Sequence, residues 1–197
     1  MSAASPEVAL PCAPAALRQR TPDLVLGPFY PVRPSHCAGG DLWARRTGLT
    51  QQAQAVELSG LVVDLAGCAV VDALVEVWQA DEGGCYHHPS APRAAADGAR
   101  FDGYGALRTD SLGRYRFRTL KPGAYGQGAR RRAPHVHFQV TGAHNRLVTQ
   151  MFFPDEPLNA QDRWLRAATR AHQLVASISH RSPELLRLSW DIVLSTG

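Results

Sequence analysis

Leu58-Ser59-Gly60-Leu61-Val62-Val63, the turn Asp64 to Gly67, and Val70-Val71-Asp72-Ala73-Leu74-Val75-Glu76-Val77-Trp78 read as strand, turn and strand. In the second strand Ala73, Val75 and Val77 fall on one face, and Leu74, Glu76 and Trp78 on the other, the two-residue period of a pleated chain. Outward from this hairpin, Arg114-Tyr115-Arg116-Phe117-Arg118 alternates basic and aromatic residues, which predicts a half-exposed strand. His135-Val136-His137-Phe138-Gln139-Val140 and residues 147–153 alternate too, and 188–194 reads as a last strand. Between them, over 161–177, Trp164, Leu165, Ala168, Ala171, Leu174 and Val175 recur at helical intervals. Many short strands and one helix near the C-terminus predict a mainly β fold, an antiparallel β-sandwich with Greek-key-like connections and long loops.

One segment resists that plan. Residues 81–103 show no period, and loops so long inside a compact domain are usually functional or disordered. This one holds Tyr86, His87 and His88. Residues 1–21 are rich in Ala and Pro and predict an arm, with 22–197 as a single domain.

Composition narrows the class. The 17 Gly and 14 Pro among 197 residues exceed the average share of about 12% and argue for a turn-rich chain over a helical bundle. The net charge of +4 is too small and too scattered for a nucleic-acid binder. No apolar run approaches the roughly 20 residues of a membrane span, and the N-terminus lacks the basic and apolar regions of a signal peptide. Four cysteines stand far apart without metal-knuckle spacing, which predicts reduced thiols and a cytoplasmic location.

The sharpest local signal is His135-Val136-His137, because residues i and i+2 of a strand project to one face. Both imidazoles can then reach one metal ion; the alternative is two solvated histidines on a polar strand face. His144 can add a third imidazole, which would suit zinc or ferrous iron. A cupin would need Glu four or five residues after the second His, where Thr141 and Gly142 stand. Arg130-Arg131-Arg132 reads as a solvated basic face or as the source of one arginine that stabilises negative charge in a site. Phosphate-loop, dinucleotide and Gly-x-Ser-x-Gly motifs are absent.

A longer pattern joins these pieces. Gly60-Leu-Val-Val-Asp-Leu-Ala-Gly67, Val75-Glu-Val-Trp-Gln-Ala-Asp81 and Tyr86 are followed by Thr109-Asp110, Gly113-Arg-Tyr-Arg-Phe117 and Lys121-Pro-Gly-Ala-Tyr125. Arg132-Ala-Pro-His-Val-His-Phe138, Thr149-Gln-Met-Phe-Phe153 and Trp190-Asp-Ile-Val-Leu194 complete it. Over residues 22–194 this resembles the intradiol ring-cleavage dioxygenases, in particular the β-subunit type of the protocatechuate-cleaving branch. The resemblance implies a prealbumin-like sandwich and one Fe(3+) per chain, held by Tyr86, Tyr125, His135 and His137. Tyr125 matches the axial ligand that leaves when substrate binds, and it then serves as a base. Arg132 matches the arginine that stabilises charge on the bound diolate, and Gln150 a pocket glutamine beside it.

The implied reaction cleaves protocatechuate or a related catechol between its hydroxylated carbons with O2, giving a cis,cis-muconate-type diacid. The chain is too short for the helical dimerisation region of the catechol-cleaving branch. It combines the length of the non-catalytic subunit with the ligands of the catalytic one, which predicts a homo-oligomer or assembly with a related chain. Gly126-Gln127 replaces the usual Pro-Trp after the second tyrosine, so Gln127 predicts a more polar and wider pocket wall. Two rival readings remain: a three-His zinc or ferrous enzyme using His144, and a non-catalytic prealbumin-like binding sandwich.

Overall fold

The computed structural model describes residues 17–35, 38–47, 53–91 and 101–195. Most of the expected N-terminal arm and residues 92–100 of the long loop lie outside them. Among the described residues nine strands form: β1 (Ala55–Val63), β2 (Leu74–Trp78), β3 (Tyr104–Arg108), β4 (Arg114–Leu120), β5 (His135–Thr141), β6 (Arg146–Phe152), β7 (Ser177–Arg181), β8 (Leu185–Ser189) and β9 (Ile192–Val193). They make two sheets, one ordered β4-β1-β8-β7 with β9 on β1, the other β3-β2-β5-β6. The sandwich is therefore as the alternation predicts. One detail differs: β1 runs parallel to β8 and β9, possible because a long crossover separates them.

Alternation sets what each sheet buries. Val56 and Leu58 of β1, Tyr115 and Phe117 of β4, and Val136 and Phe138 of β5 meet in the core between the sheets. Glu57, Ser59, Arg114 and Arg116 stay on the outer face of the first sheet, which forms an open groove. The second sheet is buried on both faces. Its outer side carries Leu74, Trp78 and Tyr104, covered by a second apolar cluster with Leu26, Phe29, Tyr30 and Tyr125 from loops. The strand bearing His135 and His137 is thus buried on both sides, and the solvated alternative for the two histidines is excluded.

Local corrections follow from chain turns. The helix expected over 161–177 is split into α1 (Arg163–Ala167) and a 3-10 turn (Ala171–Leu174). Ala168 is extended, and the chain then turns to enter β7. The last strand is divided at Trp190-Asp191, where the Asp191 carboxylate accepts from the Leu61 N–H. Cys85 is buried, and Cys68 is disulfide-bonded. The expectation of reduced thiols fails there because sequence spacing does not report which side chains meet in space.

Candidate metal centre

Strand register builds the back wall. Trp78 stands opposite Tyr104 on β3 and His137 on β5, and His137 stands opposite Gln150 on β6. One row across four strands therefore carries Tyr104, Trp78, His137 and Gln150 on one face. Trp78 stacks on the His137 imidazole with centroids 4.9 Å apart and planes at 11°. His135 lies two residues before His137, on the same face.

Both imidazoles are prepared as ligands. His135 Nδ1 lies 2.6 Å from the Ala133 carbonyl, so Nδ1 carries the proton and Nε2 keeps its lone pair. Burial, followed by the Arg132 charge, drives His135 down to about 3, and burial with His135 and Arg132 drives His137 well below its usual value. Both rings are therefore neutral near pH 7. Their Nε2 atoms are 3.2 Å apart, close enough for one ion to bond both at ordinary metal–nitrogen distances of about 2.1 Å.

Two loops supply phenols. The Asp81 carboxylate accepts from the N–H groups of Gly83 and Cys85 at 2.9 and 2.8 Å, shaping the turn that aims Tyr86. Gly84, at φ +79°, lets this turn touch the 121–125 loop; a Cβ there would fall 2.4 Å from the Ala124 carbonyl oxygen. The Gly123 N–H donates to the Asp81 carbonyl at 2.8 Å and ties the loops together. The rings of Tyr86 and Tyr125 consequently meet at right angles, centroids 5.4 Å apart, and those of Tyr125 and His135 at 5.7 Å. Burial raises both phenols above their ordinary value, with Arg132 opposing the shift at Tyr125.

The donor set fits a hard trivalent ion. The Tyr86 hydroxyl and His137 Nδ1 are buried without a hydrogen-bond partner among the described residues, and a buried phenol left so is costly unless a cation takes its oxygen. Two phenolates and two neutral imidazoles would balance most of the charge of Fe(3+). A three-His centre does not form. His144 is exposed in the 142–145 turn at the far end of β5, and no group of three His, Cys, Asp or Glu suited to a metal occurs among the described residues.

Arg132 separates from its neighbours. Arg130 and Arg131 are exposed, whereas Arg132 is 7% exposed. Its Nε donates to Asp162 at 2.8 Å and its Nη2 to the Gln150 carbonyl oxygen at 2.6 Å, and its Nη1 makes a long 3.5 Å contact to the Tyr125 hydroxyl. Gln150 in turn donates to the Val25 carbonyl at 3.0 Å. Gln127 is exposed at the tip of the 125–132 hairpin, and no hydrogen bond links its side chain to the four rings. The structure thus brings together Tyr86, Tyr125, His135, His137, Arg132 and Gln150, and leaves Gln127 exposed outside this cluster.

Several contributors escaped the sequence reading. Phe29 stacks on Tyr86 at 4.5 Å and meets Tyr125 edge-on at 6.3 Å. Gly27, legible only as a turn signal, lies against His137. Asp162 was visible at most as a helix N-cap type before Arg163-Trp164-Leu165, a signal that says nothing of Arg132.

Residues 25–196 match the family described as Dioxygenase. The chain is 40% identical over 149 residues to the protocatechuate 3,4-dioxygenase beta chain of Burkholderia cepacia, covering 71% of this chain and 63% of that one. It is 28% identical over 189 residues to catechol 1,2-dioxygenase of Acinetobacter baylyi, covering 87% and 58%. The solved dioxygenase domain of a dioxygenase–carbohydrate-binding fusion from Streptomyces sp. SirexAA-E is similar with a TM-score of 0.70 at 25% identity, covering 91% of this chain and all of that one. The chain spans about three fifths of the length of the two curated relatives.

Proposed function

Because the chain belongs to the intradiol ring-cleavage dioxygenase family, we propose that it holds one Fe(3+) through Tyr86, Tyr125, His135 and His137. With it the chain cleaves protocatechuate or a related catechol between the two hydroxylated carbons, using O2. The observation that carries this reading is the convergence of two neutral imidazoles, 3.2 Å apart at Nε2, with two phenols on one buried face. When bound, the ferric ion would acidify the catechol hydroxyls and draw electron density from the ring, making the ring reactive toward O2.

The protein's own groups do the rest. Tyr125, on the hairpin and only partly buried, is the less firmly held of the two phenols, and its oxygen would take a proton from a catechol hydroxyl. Tyr86 stays, packed against Phe29. The Arg132 guanidinium, already aimed at the Tyr125 oxygen, stabilises negative charge developing on the substrate ring where water is excluded. Gln150 holds the fork from the other side, and Trp78 fixes the plane of His137.

The exposed Gly126-Gln127 pair, in place of a bulky aromatic, supports turnover of protocatechuate with tolerance for other 4-substituted catechols. Assembly with further copies or with a related chain belongs to the same proposal, since a relative is named as a beta chain. The proposed location is the cytoplasm, and fractionation of the source cells tests it: recovery outside the cytoplasmic fraction would overturn it. The decisive experiment is iron analysis with a visible spectrum and oxygen uptake over a panel of catechols. About one iron per chain, colour as isolated and uptake with protocatechuate are expected. Colourless, active protein with stoichiometric zinc would overturn the iron assignment, and turnover of unsubstituted catechol alone would overturn the reading of Gln127.

A further inference from the structure

Arg132 is held by a residue from a distant element. Asp162 is fully buried, and all of its acceptor capacity is used. Its Oδ2 accepts from Arg132 Nε at 2.8 Å and from the Ala133 N–H at 3.0 Å. Its Oδ1 accepts from the Trp164 and Leu165 N–H groups at 3.0 and 3.1 Å, capping α1. One carboxylate thus binds the start of α1 to the strand entry that carries Arg132 and His135. By taking Nε, it turns the two Nη groups of the planar guanidinium toward Gln150 and the Tyr125 oxygen.

We propose that Asp162 is the positioning residue for Arg132, fixing the direction in which the guanidinium presents its Nη donors to the reacting ring. The inference rests on the role assigned above to Arg132. A buried arginine without a carboxylate partner would seek other acceptors, and an error of about 1 Å in a charge-stabilising group can cost on the order of a hundredfold in rate. Capping alone does not require a carboxylate, because Ser is an equally good N-cap. The two roles can therefore be separated by substitution.

Asp162→Ser keeps a cap for α1 and removes the partner of Arg132. In the iron-loaded protein it should lower kcat by about ten- to a hundredfold, with iron content unchanged and KM moved by less than about threefold. In an Arg132→Ala background the same substitution should change kcat by less than about threefold, since nothing remains to position. Asp162→Glu should recover part of the loss. In metal-free protein the Arg132 Nε–H, identified by NMR through its loss in Arg132→Ala, should exchange slowly with solvent in the wild type and rapidly in Asp162→Ser. Equal exchange in both, or losses from Asp162→Ser and Arg132→Ala that multiply in the double variant, would overturn the inference. Absence of dioxygenase turnover in the wild type would sink the functional reading instead, before any variant is compared.

Discussion

Gly27 lies against the ring of His137: a Cβ at residue 27 would stand 3.2 Å from Cε1 and 3.7 Å from Nε2 of that imidazole. The residue also holds φ at +76°, where a side chain costs about 1–2 kcal/mol. Gly27→Ala should therefore push on a candidate ligand as well as strain the backbone. Iron per chain after dialysis against a chelator should fall below wild type, together with the melting temperature. Full iron retention would show that this contact does not set the position of His137.

Tyr86 and Tyr125 differ in how firmly they are held. Tyr86 is buried on a turn fixed by Asp81 and stacked on Phe29, whereas Tyr125 is partly exposed on a hairpin. Tyr125→Phe should keep more iron than His135→Ala, shift the visible band, and impair substrate binding and product release. Unchanged spectra in both Tyr→Phe variants would remove both residues from the ligand set.

The arginine run offers an internal control. Arg132→Ala should lower turnover by about a hundredfold while iron and colour remain. It should also lower the melting temperature, because Asp162 is left buried without its charge partner. Arg130→Ala and Arg131→Ala, both at exposed positions, should be mild in oxygen uptake and in melting. Equal small effects across the run would reduce all three to a solvated basic face.

Behind Trp78, Glu76 accepts from the hydroxyls of Tyr30 and Tyr104 at 2.7 and 2.9 Å. Burial and then the hydrogen bond to Glu76 push Tyr30 up to about 12, and the same causes raise Tyr104. Between about pH 10, where an unfolded phenol titrates, and about 12 the unfolded chain releases a proton that the folded chain keeps at Tyr30. This contribution to stability is complete below pH 10 and is lost as pH rises through that window. Thermal melts from pH 8.5 to 11.5 should show the decline, with a shallower slope in Tyr30→Phe. Equal slopes would show that Tyr30 titrates as an ordinary phenol.

The division between sequence and tertiary structure is visible residue by residue. Two-residue alternation placed β4, β5 and β6 close to their observed bounds, because side-chain direction along a strand is a local property; β1 begins earlier than expected, at Ala55, and β2 later, at Leu74. The same rule put His135 and His137 on one face. The short strands β3 and β7 escaped it, one following an aperiodic loop and the other beginning inside a segment with helical spacing.

What the sequence by itself determined was the sandwich, the ordered motif from Gly60 to Leu194 and, through the resemblance that motif carries, Tyr86, Tyr125, His135, His137, Arg132 and Gln150 as candidate site residues. Only the tertiary structure decided that the outer face of the β3-β2-β5-β6 sheet is covered, which turns a polar strand face into a buried site. It also set Trp78 and Gln150 beside His137, Gly27 and Phe29 over the rings, and Asp162 on Arg132. The reason is physical: periodicity is written within a strand, but register, loop contact and the partner of a buried charge join segments far apart in the chain. No local pattern encodes them, and packing settles them all at once.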